Sequence, residues 1–188
     1  MKTLFLLLIL PFFVLSQQYK YNEDSITNYF INHLDSFRKT LNPNISNVKV
    51  NTNASKACEH HNNYMSDMKK DDYSFCSHGE FYSKNGFTYM GNDTVISNFD
   101  SRIKYYNTNK DFYALGEVIT CEFWTFYANK NITNNDFAKI LLNNFIKSPE
   151  HNSIISGESY NVVAINVKLN ENTLYLTMVV GLEHGKNN

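Results

Sequence analysis

The end of the chain constrains the fold most. Val162 to Leu169 and Leu174 to Leu182 are alternating runs rich in β-branched and aliphatic residues, parted by the polar triplet Asn170-Glu171-Asn172. That pattern predicts two strands joined by a short turn, a C-terminal β-hairpin. A hairpin of this kind has to be layered against other elements, and what precedes it reads as helical.

Asp24 or Ser25 is expected to cap a first helix whose apolar residues Ile26, Phe30, Leu34 and Phe37 recur at helical spacing. Arg38 and Lys39 fall near its end, where cations suit the helix dipole. After an Asn42-Pro43-Asn44 turn and a short extended piece at Val48 and Val50, a second helix is predicted from about Ala54 to Lys70. Its inner face runs Ala57, His61, Tyr64, Met65 and Met68.

A third sizeable helix is predicted with Thr133 as cap and Asp136 in its first turn, followed by Phe137, Ile140, Leu141, Asn144 and Phe145. Ser148-Pro149 should stop it and deliver His151. Between Asp71 and Leu115 the chain is rich in Tyr, Asn, Ser and Gly, and only Phe99, Ile103 and Tyr106 suggest a short helix. The rest of that stretch reads as loop. No repeat, low-complexity linker or charge block divides the sequence, so helices first and strands last predict one α+β domain built as a sandwich of layers.

Lys2 followed by the apolar run Leu4 to Leu15 has the layout of a secretory signal peptide, with removal expected after Ser16. The run is shorter than the roughly 20 residues of a membrane-spanning helix, and no later stretch approaches that length. Residues 17–188 are therefore expected to form a single secreted, extracellular domain. Sequons at Asn44, Asn53, Asn92 and Asn131 suit that compartment as glycosylation sites. With 17 basic and 18 acidic residues the net charge is −1, which gives no electrostatic reason for a nucleic-acid or anionic-membrane partner.

Three cysteines, Cys58, Cys76 and Cys121, allow three pairings in an oxidising environment. Cys76 lies two residues before His78 and Cys121 four after Glu117, so convergence of those segments would favour Cys76 with Cys121.

That convergence is expected on chemical grounds. Ser77-His78, Gly116-Glu117-Val118 and Ser148-Pro149-Glu150-His151 lie on separate segments, and their imidazoles and carboxylate can meet only in a folded cavity. Two neutral imidazoles and one carboxylate are a ligand set that holds zinc with an open position. The plainer alternative is a hydrogen-bonded polar cluster that orders the cleft. His61, on an otherwise apolar helix face, reads first as a satisfied core residue and second as part of the cavity wall. His60 points about 100° away around the helix and is expected in solvent, while His33 and His184 have no partner pattern. A Cys76–His78 nucleophile is rejected, because an oxidised sulfur cannot attack and no third orienting group is identifiable. Of the 13 Tyr and 14 Phe most must be core, but Phe81, Tyr82, Phe87, Tyr89 and Met90 sit on the predicted loop and could form an apolar rim.

These residues resemble the CAP superfamily, the SCP domain of cysteine-rich secretory proteins, insect antigen 5 and plant pathogenesis-related proteins, and above all its compact microbial secreted members. The likeness is carried, in the family's order, by Ile31-Asn32 to Arg38; by Ala57-x-x-x-His61-x-x-x-Met65 running to Ser77-His78; by Phe99-x-x-Arg102-Ile103-x-x-Tyr106 before Gly116-Glu117; and by Phe145-x-x-Ser148-Pro149-x-His151-x-x-Ile154-Ile155. The closing hairpin ends in Val180-Gly181 in the family's manner. Two departures stand out: Val118 follows Gly116-Glu117 where the family commonly has Asn, and Phe145 replaces the usual Trp.

The resemblance implies a three-layer α-β-α sandwich with a small antiparallel sheet. It also implies a cleft lined by His78, Glu117 and His151, with Glu150 the only acidic residue near the fourth position. Zinc or another divalent cation is an optional occupant, held by His78, Glu117 and His151, and no cofactor is required. The expected function is a non-enzymatic, monomeric module that binds a small lipid or sterol, or an extracellular protein. The alternative is a zinc-dependent hydrolase in which His78 and His151 hold the metal and Glu117 or Glu150 acts as base.

Overall fold

The structure is a computed structural model that describes residues 21–68, 76–78, 98–123, 127, 130–170 and 172–183. Its elements run α1 (Glu23–Leu41), β1 (Lys49–Val50), α2 (Thr52–Met68), α3 (Phe99–Tyr106), β2 (Phe112–Phe123), α4 (Asn134–Lys147), α5 (Pro149–Ile155), β3 (Val162–Asn170) and β4 (Thr173–Glu183). The signal-peptide segment 1–16, Asn92 and the rim residues Phe81 to Met90 lie outside the described residues. None of the helices among the described residues is long and apolar enough to cross a membrane.

The hairpin forms as its alternation predicts, and it is the middle of a four-stranded sheet in the order β1-β3-β4-β2. The β1–β3 pair is parallel and the other two pairs are antiparallel, so the sheet is mixed rather than purely antiparallel. β4 is buried from Thr173 to Gly181, because helices cover both faces of the strand.

Alternation assigns the faces. Val163, Ile165 and Val167 of β3 join Leu174, Leu176, Met178 and Val180 of β4 in one core with Ile26, Phe30 and Leu34 of α1 and Phe137, Leu141 and Phe145 of α4. Val162, Ala164 and Val179 face the other way, onto Ala54, Ala57 and Cys58 of α2 and Ile103 of α3. Farther along that face Tyr175 and Ile119 meet Tyr64 and Met65 of α2. Helix, sheet and helix thus make the three-layer α+β sandwich.

Local signals fix the helix ends. The cap of α1 is Asn22, earlier than Asp24 or Ser25, because its Oδ1 accepts the Ser25 N–H at 2.8 Å. Thr133 and Asp136 form the reciprocal capping box that opens α4. Pro149 ends α4 as expected, but it also occupies the first turn of α5, so His151 sits on a separate short helix.

Sequence reading placed a loop up to Leu115, whereas β2 begins at Phe112 and runs twelve residues along β4. A register shift between Ala114 and Gly116 interrupts the pairing. Beyond it Glu117 stands opposite Val179 and Val118 opposite Met178, so Glu117 faces the α2/α3 layer and Val118 the α1/α4 layer. Gly181 permits this closeness: a Cβ there would run into Tyr113 O and the Phe112 ring.

The short β1 leaves most of the β3 edge without a strand, and helices cap it instead. The Ile165 N–H donates to Ser55 Oγ at 3.1 Å and the Leu169 N–H donates to Glu23 Oε1 at 2.6 Å. Asn62, fully buried on α2, donates to Asn166 O at 2.9 Å and accepts from Thr177 Oγ1 at 2.7 Å.

Candidate functional site

The residues that sequence reading singled out are anchored around a short segment, Cys76-Ser77-His78, pinned through every one of its members. Cys76 is disulfide-bonded to Cys121 on β2, which selects one of the three pairings and leaves Cys58 as a buried thiol. Burial, and then the charge of Glu117, push that thiol far above its ordinary pKa. Ser77 O accepts from His61 Nε2 at 2.8 Å, and His78 O accepts from Arg102 Nη1 at 3.2 Å. The His78 side chain closes the arrangement, with Nδ1 2.9 Å from Glu117 Oε2.

Glu117 lies at the centre. Its side chain is 1% exposed, as is that of Arg102, whose Nη2 forms an ion pair with Glu117 Oε1. Burial pushes the Glu117 carboxyl up. The hydrogen bond from His78 and the charges of Arg102 and His61 outweigh burial, and together they hold the acid below its ordinary value. An ionised carboxylate only accepts hydrogen bonds, so the His78 nitrogen facing it, Nδ1, carries hydrogen.

The His78 side chain is half exposed. Its ring centroid lies 6.2 Å from that of His151, which packs edge-on against Phe145 at 5.2 Å. Partial burial, and then the neighbouring His78, lower the His151 pKa, with Glu150 opposing. Glu150 itself is exposed in the first turn of α5 and reaches the cluster only through its charge.

Sequence reading placed His61 first in the core and second in the cavity wall; it is fully buried, stacks on Tyr64 and holds Ser77. His60, expected in solvent, is buried instead, with Nδ1 3.0 Å from the Tyr106 hydroxyl of α3. The expectation assumed one covered side of α2, but the sheet packs on one side and α3 on another. Arg102 received no role from the sequence. Its signal was a cation beside the apolar positions Phe99, Ile103 and Tyr106 of a short helix, in a chain with a carboxylate at Glu117.

Chemically, the arrangement offers fewer free donors than a three-ligand metal set. Both oxygens of Glu117 are engaged, by Arg102 and by His78. Among the described residues, His78 Nε2 and the His151 ring make no hydrogen bond. Among the described residues, no group of three or more His, Cys, Asp or Glu side chains is placed to hold a metal ion. As placed, the residues form an ordered polar cluster around Glu117.

Of the sequons, Asn44 and Asn131 are exposed, whereas Asn53 is half-buried in the first turn of α2. The Ser55 hydroxyl of that sequon is engaged with Asn51 O and the Ile165 N–H.

No protein-family model and no curated protein matches the sequence. Solved structures do. An outer surface protein of Borrelia burgdorferi matches with a TM-score of 0.56 at 13% identity, over 86% of this chain and 94% of that one. An extracellular protein containing an SCP domain, from Bacillus anthracis, matches with a TM-score of 0.51 at 13% identity, over 84% of this chain. The match spans 41% of that longer protein. Identity this low speaks to architecture alone, and the architecture is the SCP, or CAP-like, fold.

Proposed function

We propose that this chain, built on the CAP-like fold, is a secreted, non-enzymatic binding module for a small lipid or sterol, or for an extracellular protein. In this reading the His78, Glu117 and His151 cleft is a structural centre that shapes the module's surface. The observation that supports it most is the state of Glu117. A general base needs an unengaged carboxylate within reach of water, and a zinc ligand needs a free oxygen. Glu117 is buried between Arg102 and His78 with neither. Secretion is supported by the disulfide between Cys76 and Cys121, which suits an oxidising compartment.

The test uses the mature chain and its His78→Ala/His151→Ala form. Zinc alone is titrated calorimetrically, p-nitrophenyl acetate hydrolysis is followed with and without a chelator, and a fluorescent sterol is titrated into both forms. The expected results are hydrolysis no faster in the parent than in the double variant, and sterol binding retained in both. Chelator-sensitive hydrolysis lost with the two histidines would replace this reading by a metal-dependent hydrolase. Sterol binding in neither form would remove the lipid half of the reading and leave an extracellular protein as the partner.

A further inference from the structure

We infer that Arg102 is the positioning residue of the cleft: through Glu117 and the His78 carbonyl it fixes the His78 ring so that Nδ1–H faces the carboxylate and Nε2 is the nitrogen presented beside His151. The class of ligand follows. In the neutral ring, the Nε2 lone pair accepts a hydrogen bond from a hydroxyl or amide N–H. This rests on the binding-module reading only for the ligand's purpose; the geometry stands without it.

Three contacts carry the inference. Arg102 Nη2 pairs with Glu117 Oε1 while the other oxygen, Oε2, meets His78 Nδ1 at 2.9 Å. A second arm of the same guanidinium, Nη1, donates to His78 O at 3.2 Å. One planar group therefore holds both the backbone of His78 and the carboxylate that its ring addresses, and the fixed fork of a guanidinium is suited to such a double grip. Arg102 also balances the charge of Glu117, so the carboxylate remains an acceptor and selects the Nδ1–H form of the imidazole. Which nitrogen of a histidine is free is set by the hydrogen bond made at the other. Neither nitrogen's role depends on a metal, and His78 Nε2 meets no partner among the described residues.

The experiment is nitrogen NMR of the imidazole of His78 in the mature, disulfide-bonded chain at a fixed, mildly alkaline pH, in four forms: parent, Arg102→Lys, Glu117→Gln and Arg102→Met/Glu117→Gln. In the parent the Nδ1–H form should dominate. Glu117→Gln, alone or with Arg102→Met, removes the obligate acceptor, and the Nε2–H form, preferred by a free imidazole, should become the major one. Arg102→Lys keeps a cation but loses the fork, so it should retain part of the Nδ1–H population. The double variant removes both buried charges together and avoids leaving one unpaired, which keeps a folded sample available. An Nε2–H parent, or an Nδ1–H form undiminished in Arg102→Lys, would overturn the inference. None of these readouts needs a ligand, so failure of the lipid or protein reading would leave them unchanged.

Discussion

The two faces of the sheet are built on different principles. Against α1, α4 and α5 the packing is aliphatic and aromatic: Phe30 meets Phe145 edge-on with ring centroids 6.0 Å apart, and Tyr21 lies 5.1 Å from Phe137. Among the described residues, buried charge there is confined to α1. Asp35 accepts from the Val48 N–H, and Arg38 lies 3.8 Å over the Tyr160 ring and donates to Tyr160 O. Against α2 and α3 the buried residues include His60, His61, Asn62, Ser66, Arg102, Glu117 and Thr177. Apolar packing is tolerant of exchange so long as volume is kept, whereas a buried polar group must meet a particular partner. One face supplies cohesion, and the other fixes where individual atoms stand.

Substitutions can break that contrast. The largest loss should come from Phe30→Ala, which removes a fully buried ring from the aromatic face and should cost about 3–5 kcal/mol. Chemical denaturation would measure it, and the tautomer of His78 should not change in the folded fraction. If Phe30→Ala alters the His78 imidazole signals, the faces are not independent.

A smaller loss, about 1–3 kcal/mol, is expected for Asn62→Ala, which strands the Asn166 carbonyl and the Thr177 hydroxyl without their buried partner. The same denaturation experiment reads it. A cost as great as that of Phe30→Ala would mean that the polar face contributes cohesion as well as geometry.

The smallest effect is expected from pH. The folded state lowers the pKa of His151, chiefly by burial. The unfolded chain therefore takes up the proton first as pH falls through the ordinary imidazole range, and stability declines with it. Glu117 adds a second decline at lower pH: its carboxyl is held down in the fold, so its contribution is present above the ordinary carboxylate range and lost as acid protonates it. His151→Asn should flatten the thermal-stability profile between about pH 7 and pH 5 and leave the acid limb intact. An unchanged profile in that window would show that His151 is no more confined than a free imidazole.

The contrast also explains what the sequence could reveal. The helices α1, α2 and α4 and the closing hairpin were legible because each displays an apolar period to an apolar layer. β2 was not, because Glu117 and Cys121 occupy inward positions on one face and Gly116 and Glu122 occupy the other, so no simple alternation survives. Glu122 is in fact spoken for, accepting from Asn144 of α4 at 2.7 Å. α5 was hidden by Pro149, which signals a stop to the helix before it and an allowed start to the helix after it. At the site, His78 and Glu117 meet as expected and His151 lies alongside. Arg102, which pairs with Glu117, showed in the sequence only as a cation within a short helix and received no role, because a pairwise contact between α3 and β2 leaves no periodic trace.

The link between Cys76 and Cys121 has one more consequence. With a sequence separation of 45 it closes a covalent ring of chain, and His78, Arg102 and Glu117 all lie inside that ring, while His61 and His151 lie outside it. A protease that cuts once between residues 77 and 120 therefore opens the ring without releasing a fragment. The two halves of the Arg102–Glu117–His78 grip stay tethered to the same pair of sulfurs, so the grip has a covalent safeguard against any single cut within the ring.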